Sequence, residues 1–286
     1  GRGEAAFIAP SRASALQQER LILVAEDNET NQKVILQQLA LLGFAADIAN
    51  DGYEALKRWR SGDYALLLTD LHMPRMDGYE LATAIRAEEN IKENFNENNA
   101  KHTIIIALTA NALKGEAMRC HDVGMDDYLS KPTPLADLKA TLLKWLPPTE
   151  LTPQPADTAT LAETSLTVAA QSASSSPLDV SVLAALVGDD PAVISDFLQD
   201  FWRSTTQIAS ELKTACTSGQ AAQVSAAAHK LKSSARSVGA LALGDLCAEI
   251  EQVGKAGKIE VLTLLLFRFE AEMAAVEKYL DSLSST

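Results

Sequence analysis

The stretch YALLLTD (residues 64–70) reads as a buried strand that ends on a carboxylate. Its near-continuous apolar run suits a strand covered on both faces, as parallel sheets require. The same form recurs at LILVA (21–25), TIIIAL (103–108) and DYLS (127–130). A polar residue able to do chemistry closes each run: Asp70, Asp27, Thr109 and Lys131. Helical patterns fill the intervals. NETNQKVILQQLALLG carries Val34, Ile35, Leu39 and Leu42 at three-to-four spacing and stops at Gly43. FAADIA (44–49) adds a further strand, and DGYEALKRWRSG, GYELATAIRAEE, ALKGEAMRCHDVG and PLADLKATLLKWL add helices. Five such β-α units predict an α/β fold with a doubly wound parallel five-stranded sheet of order 2-1-3-4-5. All strands then open their carboxyl ends on one edge, so four residues spread over 105 positions meet in one crevice.

The remainder of the chain divides around this unit. Residues 1–20 show no clear period and read as a linker remnant, and residues 21–147 hold the sheet. Residues 90–101 (NIKENFNENNAK) form a polar, Asn-rich connection longer than usual. Residues 148–177 contain four prolines and many Ser, Thr and Ala, a composition that cannot bury enough surface to fold. They read as a flexible tether whose r.m.s. span is about 30 Å for a coil of this length. Residues 178–286 show no strand pattern. Helices are expected near 178–187, 191–217, 220–237, 240–253 and 258–284, packed as an all-α four-helix bundle.

Composition narrows the function. The 286 residues carry a net charge of −13, and both folded segments are acidic, with nets of −6 and −5. Phosphate backbones demand a basic face, so no nucleic-acid partner is expected. Cys120, Cys216 and Cys247 are too few and too dispersed for a disulfide framework and fit a reducing compartment. The longest apolar run, VLTLLLF (261–267), is far short of a bilayer span, so this piece is expected to be cytoplasmic and free of membrane contact. The Gly-Arg-Gly start reads as a fragment of a longer protein, whose parent could be anchored in a membrane.

Each strand-end polar residue alone would be ordinary turn chemistry. Their coincidence at matching strand ends is the signal. Glu26 precedes Asp27, and three neighbouring carboxylates repel one another unless a cation intervenes. Mg²⁺ suits that need, because it takes one or two carboxylates and keeps several waters. Lys131 supplies positive charge for a phosphoryl oxygen, and Thr109 a donor. A cis peptide at Lys131-Pro132 would aim the ammonium inward.

The motifs LILVAEDN, LLLTDLHMPRMDGYEL, IIALTAN and DDYLSKP together resemble the receiver domain of bacterial two-component response regulators. The resemblance implies that Asp70 is the phosphoacceptor. It implies that Asp27, Asp70 and the backbone carbonyl of His72 bind Mg²⁺, with Glu26 acting through water. It also implies that Thr109 and Lys131 contact the phosphoryl group and that Tyr128 is an aromatic switch.

His229, in AAAHKLKSSARSVGA, lies off the apolar stripe of its helix, which runs through Val224, Ala228, Leu231, Ala235 and Val238. Its neighbours along the helix are small or cationic: Ser225, Ala226, Lys232, Ser233 and Arg236. A lone surface histidine is usually a solvated polar residue. Here small neighbours leave the ring accessible, and Lys232 and Arg236 make a local cationic spot. An exposed imidazole is mostly neutral at pH 7 and can attack phosphorus. The segment resembles a histidine phosphotransfer domain, whose helix reads His-x-Leu-Lys-Gly-Ser; Ser233 stands where that family has Gly. Its hydroxymethyl is expected to narrow access to the ring or orient it, slowing transfer.

Together these readings predict a phosphorelay module from the C-terminal end of a hybrid sensor histidine kinase. Phosphoryl would pass from an upstream histidine kinase domain to Asp70, then to His229, then to the receiver of a downstream response regulator. No ATP-binding motif appears, so autophosphorylation from ATP is not expected. A response regulator with an inert helical output module and an acidic transcription factor are rival readings. A Mg²⁺-dependent phosphatase would want an acid two residues after Asp70, where His72 stands.

Overall fold

The structure, a computed structural model, describes residues 10–94, 102–110, 114–147 and 176–284. Five strands, β1 (Ile22–Ala25), β2 (Ala46–Ala49), β3 (Leu66–Asp70), β4 (Ile104–Thr109) and β5 (Asp127–Ser130), pair in parallel in the order 2-1-3-4-5. Register follows directly: Ala25 lies beside Thr69 and Ala49, and Asp70 beside Leu108. Period-two alternation divides the strand residues between two cores. Leu23, Ala25, Leu67, Ile105 and Ala107 face one layer with Ala55, Leu81 and Ile85, whereas Ile22, Val24, Leu66, Leu68, Ile106 and Leu108 face Leu39, Leu138 and Leu142 on the other.

Helices α2 (Glu29–Leu41), α3 (Gly52–Trp59), α4 (Gly78–Asn94), α5 (Lys114–Asp122) and α6 (Leu135–Trp145) supply those layers. Side chains start three of them: Asn28 accepts from the amide of Asn31, Asp51 from that of Glu54, and Asp77 from that of Glu80. Gly78 opens α4 against β3, where a Cβ would meet the backbone carbonyl oxygen of Asp70 at 2.3 Å. Only glycine lets the loop return so closely to the end of that strand.

Two stretches depart from their sequence reading. Within residues 1–20, Arg12–Gln17 forms a helix, α1, capped by Ser11 and held by Arg12 on Asp47 and by buried Ala15. A single turn and a half is too short to show a period, so nothing in the sequence announces it. Helix α4 runs on to Asn94, into the polar connection, where Glu and Lys are good helix formers that carry a helix on without an apolar stripe. The rest of that connection, residues 95–101, lies outside the described residues, as does the tether apart from residues 176–177 at its end.

Five helices follow: α7 (Val180–Val187), α8 (Pro191–Thr217), α9 (Ala221–Val238), α10 (Leu241–Lys255) and α11 (Ile259–Ser284). Helices α8 to α11 pack each against the next, and α11 returns to α8, closing a four-helix bundle. Pro191 occupies the first turn of α8 behind the Asp190 cap. Gly239 ends α9 at φ +85°, where a Cβ would strike the carbonyl of Asp179 at 2.1 Å. Leu231, Phe201, Leu212, Leu243, Ile250 and Phe269 are among the side chains that fill the bundle core. Among the described residues no helix is long and apolar enough to cross a membrane.

The two units touch through α2, which packs on α7, α8 and α9. Val34, expected on the apolar face of α2, joins the bundle core, while Ile35 and Leu39 stay in the sheet core.

Candidate functional site

The crevice begins at the carboxyl ends of β1 and β3, which flank the reversal of strand order. One oxygen from each of Glu26, Asp27 and Asp70 lies within 4.8 Å of the others. Lys131, one residue past β5, reaches both Glu26 (Oε2, 2.5 Å) and Asp70 (Oδ2, 2.8 Å). The Lys131-Pro132 peptide is cis. Burial drives the Glu26 carboxyl well above the ordinary glutamate range, with Asp70 and Asp27 adding to the push and the Lys131 ammonium opposing it. Asp27 is likewise raised by burial, against the nearby ammonium of Lys230. Burial would strip Lys131 of its proton, but Asp70 and Glu26 outweigh it and keep the amine charged. Crowded acidic oxygens, buried and under-neutralised, are the donor set a hard divalent ion takes, and the residues present fit Mg²⁺.

Other members of the expected site stand differently. Thr109 is buried at the end of β4, and its hydroxyl donates to Glu116 Oε2 at 2.7 Å. The backbone amide of His72 donates to Asp70 Oδ1 at 3.2 Å. Tyr128 is 43% exposed and lines a surface cleft with Met118, Cys120 and His121, apart from the carboxylate crevice.

Helix α9 closes the crevice from the bundle side. Asp70, His72, Lys131 and Pro132 share its walls with His229, Lys232, Ser233, Arg236 and Ser237. The rings of His72 and His229 meet edge to face with centroids 5.5 Å apart. Burial, with His229 adding, lowers the pKa of His72 and favours its neutral form.

The imidazole environment differs from its sequence reading in one respect. Glu251, buried on α10, receives His229 Nδ1 at 3.1 Å, Lys232 Nζ at 2.6 Å and Lys255 Nζ at 2.6 Å. Burial works to raise this carboxyl, but those three bonds prevail and hold it far below the usual carboxylate range. Arg236 pairs with Asp245 at 3.0 Å. The cationic spot is therefore largely matched by acids of α10, which runs alongside α9. Glu251 was invisible to single-helix reasoning because it lies 22 residues from His229. The hydroxyl of Ser233 accepts from Asn31 Nδ2 at 2.7 Å, across the domain boundary and not from the imidazole. Asn28 donates to Ser234 Oγ (2.7 Å) and to the Lys230 carbonyl (3.1 Å), and Ser237 donates to Asn31 Oδ1 (3.1 Å). Lys33 pairs with Asp200.

A strand-edge acid pocket facing a histidine-bearing helix defines a two-component signalling protein. Residues 22–143 match the response regulator receiver domain family and residues 196–279 match the Hpt domain family, so the chain carries a receiver domain followed by an Hpt domain. The virulence sensor protein BvgS of Bordetella pertussis is 32% identical over 265 residues, 91% of this chain and 20% of that protein. Hybrid signal transduction histidine kinase B of Dictyostelium discoideum is 38% identical over 136 residues, 46% of this chain and 7% of that protein. The chain thus spans a fifth or less of the length of these relatives. Among solved structures, it is similar to the receiver domain of a sensor histidine kinase of Pseudomonas aeruginosa PAO1, solved with magnesium coordinated in its active-site cleft. That match has 38% identity and TM-score 0.38, and covers 44% of this chain and 96% of that one. The pairing of the two domains makes this chain a phosphorelay module.

Proposed function

We propose that the module takes a phosphoryl group from the phosphohistidine of an upstream kinase domain onto Asp70. It then moves the group to His229 and delivers it to an aspartate of a downstream response regulator, all in the cytoplasm. In the first step an Asp70 oxygen attacks phosphorus, the P–N bond to the donor imidazole breaks, and an acyl phosphate forms. In the second step a His229 nitrogen attacks, the P–O bond breaks, and the Asp70 carboxylate is restored. Phosphoryl transfer asks the protein mainly to position groups and neutralise charge.

Asp27, Asp70 and the His72 carbonyl would hold Mg²⁺, with Glu26 acting through water; the ion supplies charge neutralisation at the phosphoryl oxygens. Lys131 sits on Asp70 and would follow the transferred group. Thr109 would turn from Glu116 to the phosphoryl, and Tyr128 would report that movement at the surface as the switch. On the other side, Glu251 accepts at Nδ1 of His229, which leaves Nε2 as the nucleophilic atom, an assignment that rests on the hydrogen bond. Lys232, Ser233 and Arg236 line the same crevice and would support transfer.

The observation that carries this reading is the single crevice walled by both Asp70 and His229. Its test is phosphotransfer from a labelled cognate kinase to the wild-type chain, Asp70→Asn and His229→Gln. Base-labile label should form on Asp70 in the wild type and in His229→Gln, and acid-labile label on His229 in the wild type only. Labelling of His229 in Asp70→Asn would overturn the order of transfer. Covalent connection in one chain would keep the two groups at an effective concentration on the order of mM.

A further inference from the structure

The acid pocket is neutralised from two domains. Lys131, built into the receiver, serves Glu26 and Asp70. Asp27 is served by Lys230 Nζ, 3.2 Å from Oδ2, and Lys230 belongs to the Hpt helix. Lys230 is fixed there by more than its charge. Asn28, next to Asp27, donates to the Lys230 backbone carbonyl and to Ser234 one turn later, so the helix backbone around Lys230 is clamped to the start of α2. Asp27 is 9% exposed at its side chain, and its burial makes an unpaired negative charge costly.

The geometry points to direct competition between the Lys230 ammonium and a divalent cation for Asp27, so that metal loading and Hpt docking oppose each other before Asp70 is phosphorylated. This rests on the reading that Asp27 and Asp70 hold Mg²⁺. Three carboxylates already face two ammonium groups. Adding a doubly charged ion beside both gives a net positive pocket of low dielectric, where like charges repel strongly. Lys131 cannot leave without abandoning both Glu26 and Asp70, whereas Lys230 gives up the single acid Asp27. Lys230 is therefore the group the metal displaces. Linkage makes the effect reciprocal: whatever factor docking takes from metal affinity, the metal takes from docking.

The sign has a use in a relay. A metal-loaded, unphosphorylated receiver would release α9 and stand open to its kinase donor. An acyl phosphate replaces the single charge of the Asp70 carboxylate with about two, and that one further negative charge brings Mg²⁺, Lys131 and Lys230 together to balance with the acids. Docking of His229 would then be favoured when there is a phosphoryl group to pass on.

Calorimetric titration of the full chain with MgCl₂ tests the competition, using wild type, Lys230→Met and Asp27→Asn, with small-angle scattering following domain separation. Wild type should bind the ion, and Asp27→Asn should lose it. Lys230→Met, which keeps the alkyl stem, should bind at least about fivefold more tightly, within the usual span of site-to-site coupling. Mg²⁺ should expand the wild-type chain. Equal affinities in wild type and Lys230→Met, with binding lost in Asp27→Asn, would overturn the competition and leave the metal site standing. Unchanged binding in Asp27→Asn would instead remove the metal assignment and this inference with it.

Discussion

The environments of Asp70 and His229 invert each other. Around Asp70, three carboxylates crowd one receiver lysine, and buried Glu26 is pushed toward its neutral form. Around His229, one carboxylate, Glu251, is crowded by an imidazole and two lysines and is held strongly ionised. The same residue type is driven in opposite directions by the count of opposing charges around it. Excess negative charge around Asp70 would suit the proposed cation and phosphoryl group. Excess positive charge around Glu251 holds the acid that takes Nδ1 of His229, and in the proposed relay leaves the far nitrogen for attack. The difference also separates long-range from local construction: the first site needs four strand ends, the second two adjacent helices.

The hardest test of this contrast removes the receiver's own cation. Lys131→Ala should cut transfer to Asp70 by about a hundredfold or more, as loss of one transition-state donor typically does. It should also lower stability in the absence of metal, by about 3–5 kcal/mol for a broken buried ion pair. Single-turnover labelling and urea unfolding with and without Mg²⁺ check both, and restoration of stability by Mg²⁺ would sharpen the picture of an under-neutralised pocket.

A smaller effect is expected at the mirror position. Glu251→Gln should cost about 1.5–3 kcal/mol at pH 7, the range for hydrogen bonds to a charged group. The sign with pH follows from the depressed carboxyl. Its contribution is present in full above the ordinary glutamate value of about 4.3 and is lost as pH falls through its lower native value. Thermal unfolding of wild type and Glu251→Gln should therefore differ at pH 7, and the gap should narrow progressively as pH falls below about 4. A constant gap across that range would break the comparison on the Hpt side.

Smallest is the domain boundary. Asn31→Ala removes two neutral hydrogen bonds, to Ser233 and Ser237. It should weaken docking by about 1–2 kcal/mol while leaving acyl-phosphate formation on Asp70 unchanged. Scattering and kinase labelling of the same preparation separate those outcomes. Loss of Asp70 labelling would show that Asn31 serves the acid pocket through Glu26, to which it also donates at 3.4 Å.

Much of this was legible in the residues. The apolar runs specified the strands, and the four successive crossovers between them agree with the order 2-1-3-4-5. The five helices expected in the second half fall within a few residues of the observed bounds, and Val224, Ala228, Leu231, Ala235 and Val238 are all buried. Less was legible where partners come from another element. Val34 has the same spacing and chemistry as Ile35, and nothing local says that it enters the second core. Lys230 reads as a solvated lysine beside the histidine, yet it meets Asp27 over 203 positions. Thr109 and Tyr128 carry the right residue types, but their present partners, Glu116 for one and solvent for the other, depend on loop and helix placement.

The sequence by itself determined which segments are strands and helices, that the acids gather at one sheet edge, and that His229 stands off its apolar stripe. Those are consequences of repeat period and of the one-handed crossover, both local or topological rules. Only the tertiary structure decided that Glu251 takes Nδ1, that Asn31 takes Ser233, and that Lys230 reaches Asp27. Such pairings depend on how two finished surfaces fit, over a few ångströms, and no repeat along the chain records that distance.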